Sequence, residues 1–201
     1  MAETLTIDKG RTAVVIMDYQ NEILSSLPQE KLGPLLQRAQ LLLNRARQAG
    51  VPVIYVVVGF REGYPEVSQR NKTFGGISQS GRLREGTPGA EIHPEVAPRA
   101  GEVVVTKRRV GAFSTTELST VLRAGGIDTL VLMGVVTSGC VLTTVRWAAD
   151  EDYRLVVLSD GCADRDDEVH RLLMEKLFPR QATVATVQEL LNALKPIDGS
   201  A

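Results

Sequence analysis

The chain has 201 residues, of which 43% are hydrophobic and 23% charged, and its formal net charge is −1. This length and composition predict one globular domain over residues 1–201. A charge so close to zero gives no electrostatic reason to expect nucleic acid or an anionic membrane as a partner. No apolar segment approaches the roughly 20 residues of a membrane span, and the N-terminal segment lacks the apolar core of a signal peptide.

Continuous apolar runs predict buried strands, and apolar residues at helical spacing predict helices. In chain order the sequence predicts strand 12–17, helix 29–48, strand 52–58, strand 102–106, helix 114–124, strand 129–133, helix 141–150, strand 154–159, helix 166–177, strand 182–185 and helix 187–194. A capping box from Ser114 to Glu117 is expected to open the second helix. The tail from Asp198 is expected to fray.

Strands that alternate with helices predict an α/β fold. We expect a three-layer α/β/α sandwich around a doubly wound, mostly parallel six-stranded sheet. Residues 59–98 show little periodicity and are rich in Gly, Pro, Ser and Arg. An irregular segment of this length is uncommon unless it is functional, so we interpret it as an excursion that covers the substrate. Its basic cluster, which includes Arg82, is interpreted as solvated surface, and contact with an anionic substrate is the alternative.

Three predicted strands end close to reactive side chains, namely Asp18, Lys107 and Cys140. The carboxyl ends of parallel strands share one edge of a sheet, where ligand crevices lie. A thiol with a pKa of about 8.5 needs help to attack at neutral pH. A carboxylate can accept its proton, and a lysine ammonium can stabilise both anions. The sequence therefore predicts a nucleophilic cysteine, and the alternative is a small buried thiol that only fills space.

Cys140 is expected at a helix N-terminus, where unpaired N–H groups and the helix dipole favour a thiolate. Cys162, the only other cysteine, is interpreted as a packed thiol. Two cysteines suggest no disulfide framework and fit a cytoplasmic location. His93 and His170 are far apart in sequence, so we predict structural or solvated roles for both, with no metal and no cofactor.

Three segments, VVIMDYQN at 14–21, TKRRVGAF at 106–113 and GVVTSGCV at 134–141, match a known family in order and spacing. The chain resembles the isochorismatase-like cysteine hydrolases, which include nicotinamidases and N-carbamoylsarcosine amidase. The resemblance implies a Rossmann-like fold and a catalytic triad of Asp18, Lys107 and Cys140. It also implies a cis peptide bond at Val135–Val136, and an oxyanion hole formed by the backbone N–H groups of Val136 and Cys140.

The resemblance implies hydrolysis of a small amide-like C–N bond by a homo-oligomer, a dimer or a tetramer. Nicotinamidases carry a metal-binding Asp-x-His-x-x-His after the second strand, but residues 59–65 contain no histidine. Many relatives have Ser where this chain has Gly111. Vinyl ether hydrolysis, a non-catalytic ligand- or partner-binding module and a thiol-redox role are the alternatives that stay open.

Tyr19, Gln20 and Phe113 adjoin the candidate catalytic residues, so we predict that they contact the substrate. Packing in the core and capping of the next segment are the alternatives for these side chains. Trp147 is expected in the core between helix and sheet.

Overall fold

The computed structural model describes residues 5–194, so the predicted frayed tail from Asp198 lies outside the described residues. Six strands form one sheet: β1 Thr12–Met17, β2 Val53–Val58, β3 Val103–Lys107, β4 Thr129–Val135, β5 Arg154–Ala163 and β6 Thr183–Ala185. Their order is β3-β2-β1-β4-β5-β6, and each neighbouring pair is parallel. The strand order reverses between β1 and β4, which is where doubly wound sheets form their ligand crevice.

Seven α-helices connect the strands within the described residues: α1 Asn21–Leu24, α2 Gln29–Gln48, α3 Ile77–Ser80, α4 Leu118–Ala124, α5 Leu142–Asp150, α6 Asp167–Leu172 and α7 Val187–Ala193. Five-residue π-helical turns precede α5, at Thr137–Val141, and follow α6, at Leu173–Leu177. None of the helices in residues 5–194 is long and apolar enough to cross a membrane.

Two apolar layers enclose the sheet, because successive side chains of a strand point to opposite faces. In β1, Val14 and Ile16 pack against the layer that contains α2 and α7. Ala13, Val15 and Met17 pack against the layer that contains α4, α5 and the turn after α6. The predicted three-layer sandwich with a six-stranded sheet is confirmed, and the sheet is parallel throughout.

The predicted capping box is wrong. Helix α4 begins only at Leu118, and its N-terminus has no side-chain cap hydrogen bond. Thr115 has a left-handed backbone with φ of 65°, so the chain turns before the helix instead of entering it at Ser114. The Thr116 hydroxyl donates to the Ala112 carbonyl at 2.6 Å and accepts from Leu118 N–H at 3.3 Å. This threonine supports the turn that precedes the helix.

Residues 59–98 form a packed segment with its own small core. Phe60, Tyr64, Phe74 and Leu83 are buried together against Val58 at the end of β2. The Phe60 and Phe74 rings meet edge to face with centroids 5.3 Å apart. The segment is therefore held against the carboxyl edge of the sheet by apolar contacts as well as by backbone hydrogen bonds.

Candidate active site

Asp18, Lys107 and Cys140 meet at the carboxyl edge of the sheet, and all three are buried. Lys107 is the last residue of β3, yet its side chain reaches past β2, so that Nζ lies 2.9 Å from Asp18 Oδ2. Lys107 Nζ also donates to the Arg109 carbonyl at 3.2 Å. The strand order thus brings together the three candidate catalytic residues that are far apart in sequence.

Asp18 is held in an unusual backbone conformation directly after β1. Its φ is 58°, a left-handed value that Asp tolerates better than most residues. Its N–H donates to the Val56 carbonyl of β2 at 2.8 Å, which fixes the turn. Within the described part of the chain, Asp18 Oδ1 is buried without a hydrogen-bond partner. One carboxylate oxygen is therefore paired with Lys107, and the other is buried and has no hydrogen-bond partner in this part of the chain.

Burial dominates the protonation of this site. It raises the pKa of Asp18, and the Lys107 charge opposes the rise. Burial also raises the pKa of the Cys140 thiol well above its ordinary value, and the Asp18 carboxylate adds to this effect. Cys140 lies in the π-helical turn before α5, where we expected the helix terminus to favour a thiolate. The direction of the shift favours the protonated thiol in the resting site.

The turn that carries Cys140 has a defined set of backbone contacts. The Val135–Val136 peptide bond is cis. Gly139 N–H donates to the Val136 carbonyl at 3.1 Å, and Ser138 N–H donates to Asp164 Oδ2 at 2.7 Å. These two N–H groups are therefore engaged within the protein and do not face a ligand.

A cavity of about 360 Å³ opens above Asp18, Lys107 and Cys140. Residues 59–98 supply part of its wall, including Thr73, the apolar side chains Phe74, Ile77 and Leu83, and Arg82. The opposite side of the cavity includes the ends of β4 and β5. The volume suits a small molecule that offers both an apolar and a polar surface.

Two arginines line this cavity, and they differ in their partners. Arg82 forms an ion pair with Glu22, which lies on α1. Arg165 is exposed, and its Nε donates to Ser26 Oγ at 3.1 Å. No acidic side chain of residues 5–194 forms an ion pair with Arg165. Its guanidinium is therefore the cavity cation that is open to an anionic ligand.

Arg165 was not predicted as a cavity residue, and for Arg82 contact with an anionic substrate was only the alternative to a solvated surface. Arg165 lies two residues beyond β5, so the rule that pointed to Asp18 could also have pointed to this position. Arg82 was interpreted as part of a solvated basic cluster, because nothing local to it indicates which way the segment folds.

Tyr19, Gln20 and Phe113 are not among the residues that line this cavity, so their contact with the substrate stays a prediction. The Tyr19 hydroxyl donates to the Gly161 carbonyl at 2.8 Å. Gln20 is fully buried, and its side chain bonds both the N–H and the carbonyl of Val58 at 2.8 Å. These side chains tie the sheet edge to its loops, which is the scaffold role that the sequence left as an alternative.

Phe113 stacks on Trp147 with ring centroids 6.4 Å apart and an interplanar angle of 6°. Trp147 is 44% exposed, so its predicted place in the core is wrong. The inward face of α5 is occupied by Val145 and Ala148, which leaves the indole to cover Phe113 from outside.

In the described ranges, no group of three or more His, Cys, Asp and Glu side chains could hold a metal ion. The His93 ring accepts from Glu95 N–H at 3.4 Å. Cys162 is buried, and burial raises the pKa of its thiol to about 12. Neither side chain lines the cavity above Cys140.

The fold and the site describe a doubly wound α/β protein with a cysteine-centred cavity, and comparisons with known proteins agree. The isochorismatase domain model matches residues 12–189. The chain is 32% identical over 195 residues to the uncharacterized isochorismatase family protein YwoC of Bacillus subtilis (strain 168), which covers 97% of this chain and 100% of that protein. It is 29% identical over 164 residues to the maleamate amidohydrolase of Pseudomonas putida, covering 82% of this chain and 76% of that protein.

Among solved structures, a cysteine hydrolase from Pseudomonas syringae pv. phaseolicola 1448A superposes with a TM-score of 0.85 at 28% identity. The match covers 96% of this chain and 98% of that one. The chain therefore belongs to the isochorismatase family, and it is an enzyme of the hydrolase class.

Proposed function

We propose that this enzyme hydrolyses a small amide-like C–N bond through an acyl-enzyme on Cys140. The main support for this proposal is the buried Asp18–Lys107 ion pair beside the buried Cys140 thiol. All three residues line the same cavity. Asp18 Oδ1 is buried without a hydrogen-bond partner among the described residues, which supports its role as the proton acceptor. No metal or cofactor takes part in the proposed reaction.

In the first half of the reaction, the Cys140 thiol passes its proton to Asp18, and Sγ attacks the substrate carbonyl carbon. The carbonyl oxygen gains negative charge, which the backbone N–H groups of Val136 and Cys140 stabilise. Ser138 and Gly139, which lie between these two residues, have N–H groups that are engaged elsewhere and are therefore not the donors. Asp18 then donates the proton to the leaving nitrogen, the C–N bond breaks and a thioester remains.

In the second half, Asp18 takes a proton from water, and the hydroxyl oxygen attacks the thioester carbon. The C–S bond breaks, the acid product leaves and the proton returns to Cys140. Lys107 acts throughout by electrostatics. Its charge lowers the pKa of the Cys140 thiol, against the larger effect of burial, and so assists formation of the thiolate.

We further propose that the substrate carries a carboxylate. Arg165 supports this, because it is a cavity cation with no acidic partner among residues 5–194. An arginine binds a carboxylate through two parallel N–H···O contacts. The relative named maleamate amidohydrolase, whose named substrate is a small amide with a carboxylate, points the same way. The apolar wall formed by Phe74, Ile77 and Leu83 suits the carbon skeleton between the two polar ends.

Ammonia release from a panel of small amides, ureas and carbamoyl compounds tests this function. Each compound in the panel is paired with a neutral ester or carboxamide of the same skeleton. We expect turnover of carboxylate-bearing members, and Arg165→Gln should raise their KM at least tenfold while leaving neutral members unchanged. Arg180→Gln, an exposed arginine outside the cavity, is the matched control. Equal losses for charged and neutral members would contradict the carboxylate contact, and no ammonia from any member would contradict C–N hydrolysis.

We also propose that the enzyme is a dimer or a tetramer in the cytoplasm. Trp147 and Leu172 are 44% and 54% exposed, and large apolar side chains of this kind favour contact between subunits. Light scattering after size-exclusion chromatography tests the assembly, and the mass of a monomer would contradict it.

A further inference from the structure

The turn that carries Cys140 is held from behind by two side chains that do not touch the reacting atoms. Asp164, just beyond β5, accepts from Ser138 N–H at 2.7 Å. On α6, His170 Nδ1 lies 2.8 Å from Thr137 Oγ1. Thr137 is fully buried, whereas His170 is only partly so. Two consecutive residues of the five-residue turn Thr137–Val141 are thus fixed by side chains from outside it.

The contact between Thr137 and His170 has a direction that depends on the imidazole. A neutral imidazole has one N–H and one bare nitrogen, whereas a protonated one has only N–H groups. The Ser159 backbone raises the pKa of His170, which is the effect of a hydrogen-bond acceptor near the ring. If the N–H of the neutral ring is on Nε2, Nδ1 is bare and accepts from the Thr137 hydroxyl.

We propose that neutral His170 is a positioning residue, which accepts a hydrogen bond from Thr137 through Nδ1 and thereby holds the Cys140 thiol toward Asp18. This inference rests on the proposed role of Cys140 as the nucleophile. His170 touches neither the thiol nor the cavity above it, so it acts only through the turn. Protonation would place a hydrogen on Nδ1 and reverse this hydrogen bond, so that the Thr137 hydroxyl accepts instead of donating.

Burial favours the neutral form of His170, and part of the charge around the ring opposes it. His170 faces a second cavity of about 290 Å³ behind the turn, lined by Glu30, Lys31 and Arg38 of α2, Cys162 and Asp164 of the β5 region, and Asp167 of α6. Burial lowers the pKa of His170, while Asp164 and Asp167 raise it and Lys31 opposes them. Lys31 forms an ion pair with Asp167, and Arg38 forms one with Asp160 at 3.5 Å, so much of this charge is already paired.

The chain contains two histidines, which makes a direct test possible. His93→Asn leaves His170 as the one imidazole, whose tautomer and titration can then be read by ¹⁵N NMR. His93 lies outside both cavities, so this variant is also the matched control. We expect the Nε2–H tautomer with a bare, hydrogen-bonded Nδ1 and a titration midpoint below the usual value. An Nδ1–H tautomer would overturn the proposal without any change to His170 itself.

The second measurement is the rate of Cys140 alkylation by iodoacetamide across pH, followed by mass spectrometry of its peptide. In the His93→Asn background we expect His170→Leu and Thr137→Val each to slow alkylation at least fivefold, with the double variant no slower than either single one. His170→Asn keeps an acceptor near the Nδ1 position but does not titrate. This variant should restore most of the alkylation rate. It should also abolish the fall in alkylation rate at acidic pH that protonation of His170 causes.

Rates within twofold of the control in both His170→Leu and Thr137→Val would overturn the proposal. An unchanged fall in alkylation rate at acidic pH in His170→Asn would also overturn the proposal, because replacing a merely structural histidine would leave the pH profile as it was. These failures are distinct from failure of the proposed function. That function fails if Cys140→Ser keeps its activity, whatever the His170 variants do.

Discussion

Lys107 Nζ and Asp18 Oδ2 form a buried ion pair at 2.9 Å, although β2 separates their strands in the sheet. Their side chains are 2% and 6% exposed, so water screens the pair very little. A buried pair of this kind is strongly destabilising to break, because the remaining charge has no partner. The pair therefore fixes both the position of Asp18 and the charge that the Cys140 thiol meets.

Replacing Lys107 by Ala should move Cys140 alkylation to higher pH. The lysine charge lowers the thiol pKa, so its removal raises that pKa and reduces the thiolate present at any given pH. The pH dependence of iodoacetamide labelling measures the shift. Lys176→Ala, an exposed lysine outside the site, is the control. Circular dichroism must show a folded variant, and a folded Lys107→Ala with the wild-type profile would contradict the electrostatic role.

The serine that many relatives carry at position 111 should destabilise this chain. A Cβ added to Gly111 would lie 2.7 Å from Thr143 Cγ2, which belongs to a short, branched side chain on α5. We expect Gly111→Ser to lower the free energy of unfolding by about 1–3 kcal/mol, the usual range for overpacking. Denaturant unfolding measures this change.

Thr143→Ser is the compensating change, because it removes Cγ2 and keeps the hydroxyl. It should recover most of the stability lost in Gly111→Ser. Gly33→Ser is the control, since a Cβ there meets nothing within 4 Å. If Gly111→Ser is as stable as the wild type, the close approach to Thr143 does not explain the glycine.

Activity should survive a strong chelator. The proposed nucleophile is a thiolate, and acyl transfer by Cys140, Asp18 and backbone N–H groups needs no Lewis acid. Prolonged dialysis against EDTA, followed by the ammonia assay and elemental analysis, measures this. Added Zn²⁺ is expected to inhibit, because thiolates bind it well. A stoichiometric metal whose removal ends activity and whose return restores it would contradict the proposed chemistry.

The fold was predictable because a parallel sheet buries both faces of its strands, and such strands appear in sequence as uninterrupted apolar runs. The same order of elements predicted that Asp18, Lys107 and Cys140 would share an edge. Strand ends were harder to predict. Strand β5 continues to Ala163, past the polar Ser159 and Asp160, because its last residues pair with β4. Nothing local to the sequence reports that pairing.

Side-chain direction was the main limit on predicting the site. Tyr19 and Gln20 follow Asp18 in sequence, yet their polar groups bond the backbone of Gly161 and Val58 instead of facing the cavity. Arg165 lies in the cavity only because the chain turns there after β5. Adjacency to a catalytic residue is therefore a poor guide to which side chains line the cavity, since a single backbone turn redirects the next side chain.

The identity of the nucleophile is the central claim, and the most direct measurement is the ammonia-release rate of Cys140→Ser beside Cys162→Ser. Both thiols are buried, but only Cys140 lines the cavity with Asp18 and Lys107. We expect Cys140→Ser, folded and pure, to lose several orders of magnitude in kcat, while Cys162→Ser keeps most of its activity. Retention of more than about a tenth of the wild-type rate by Cys140→Ser, a barrier change of only about 1.4 kcal/mol, would contradict covalent catalysis by this thiol.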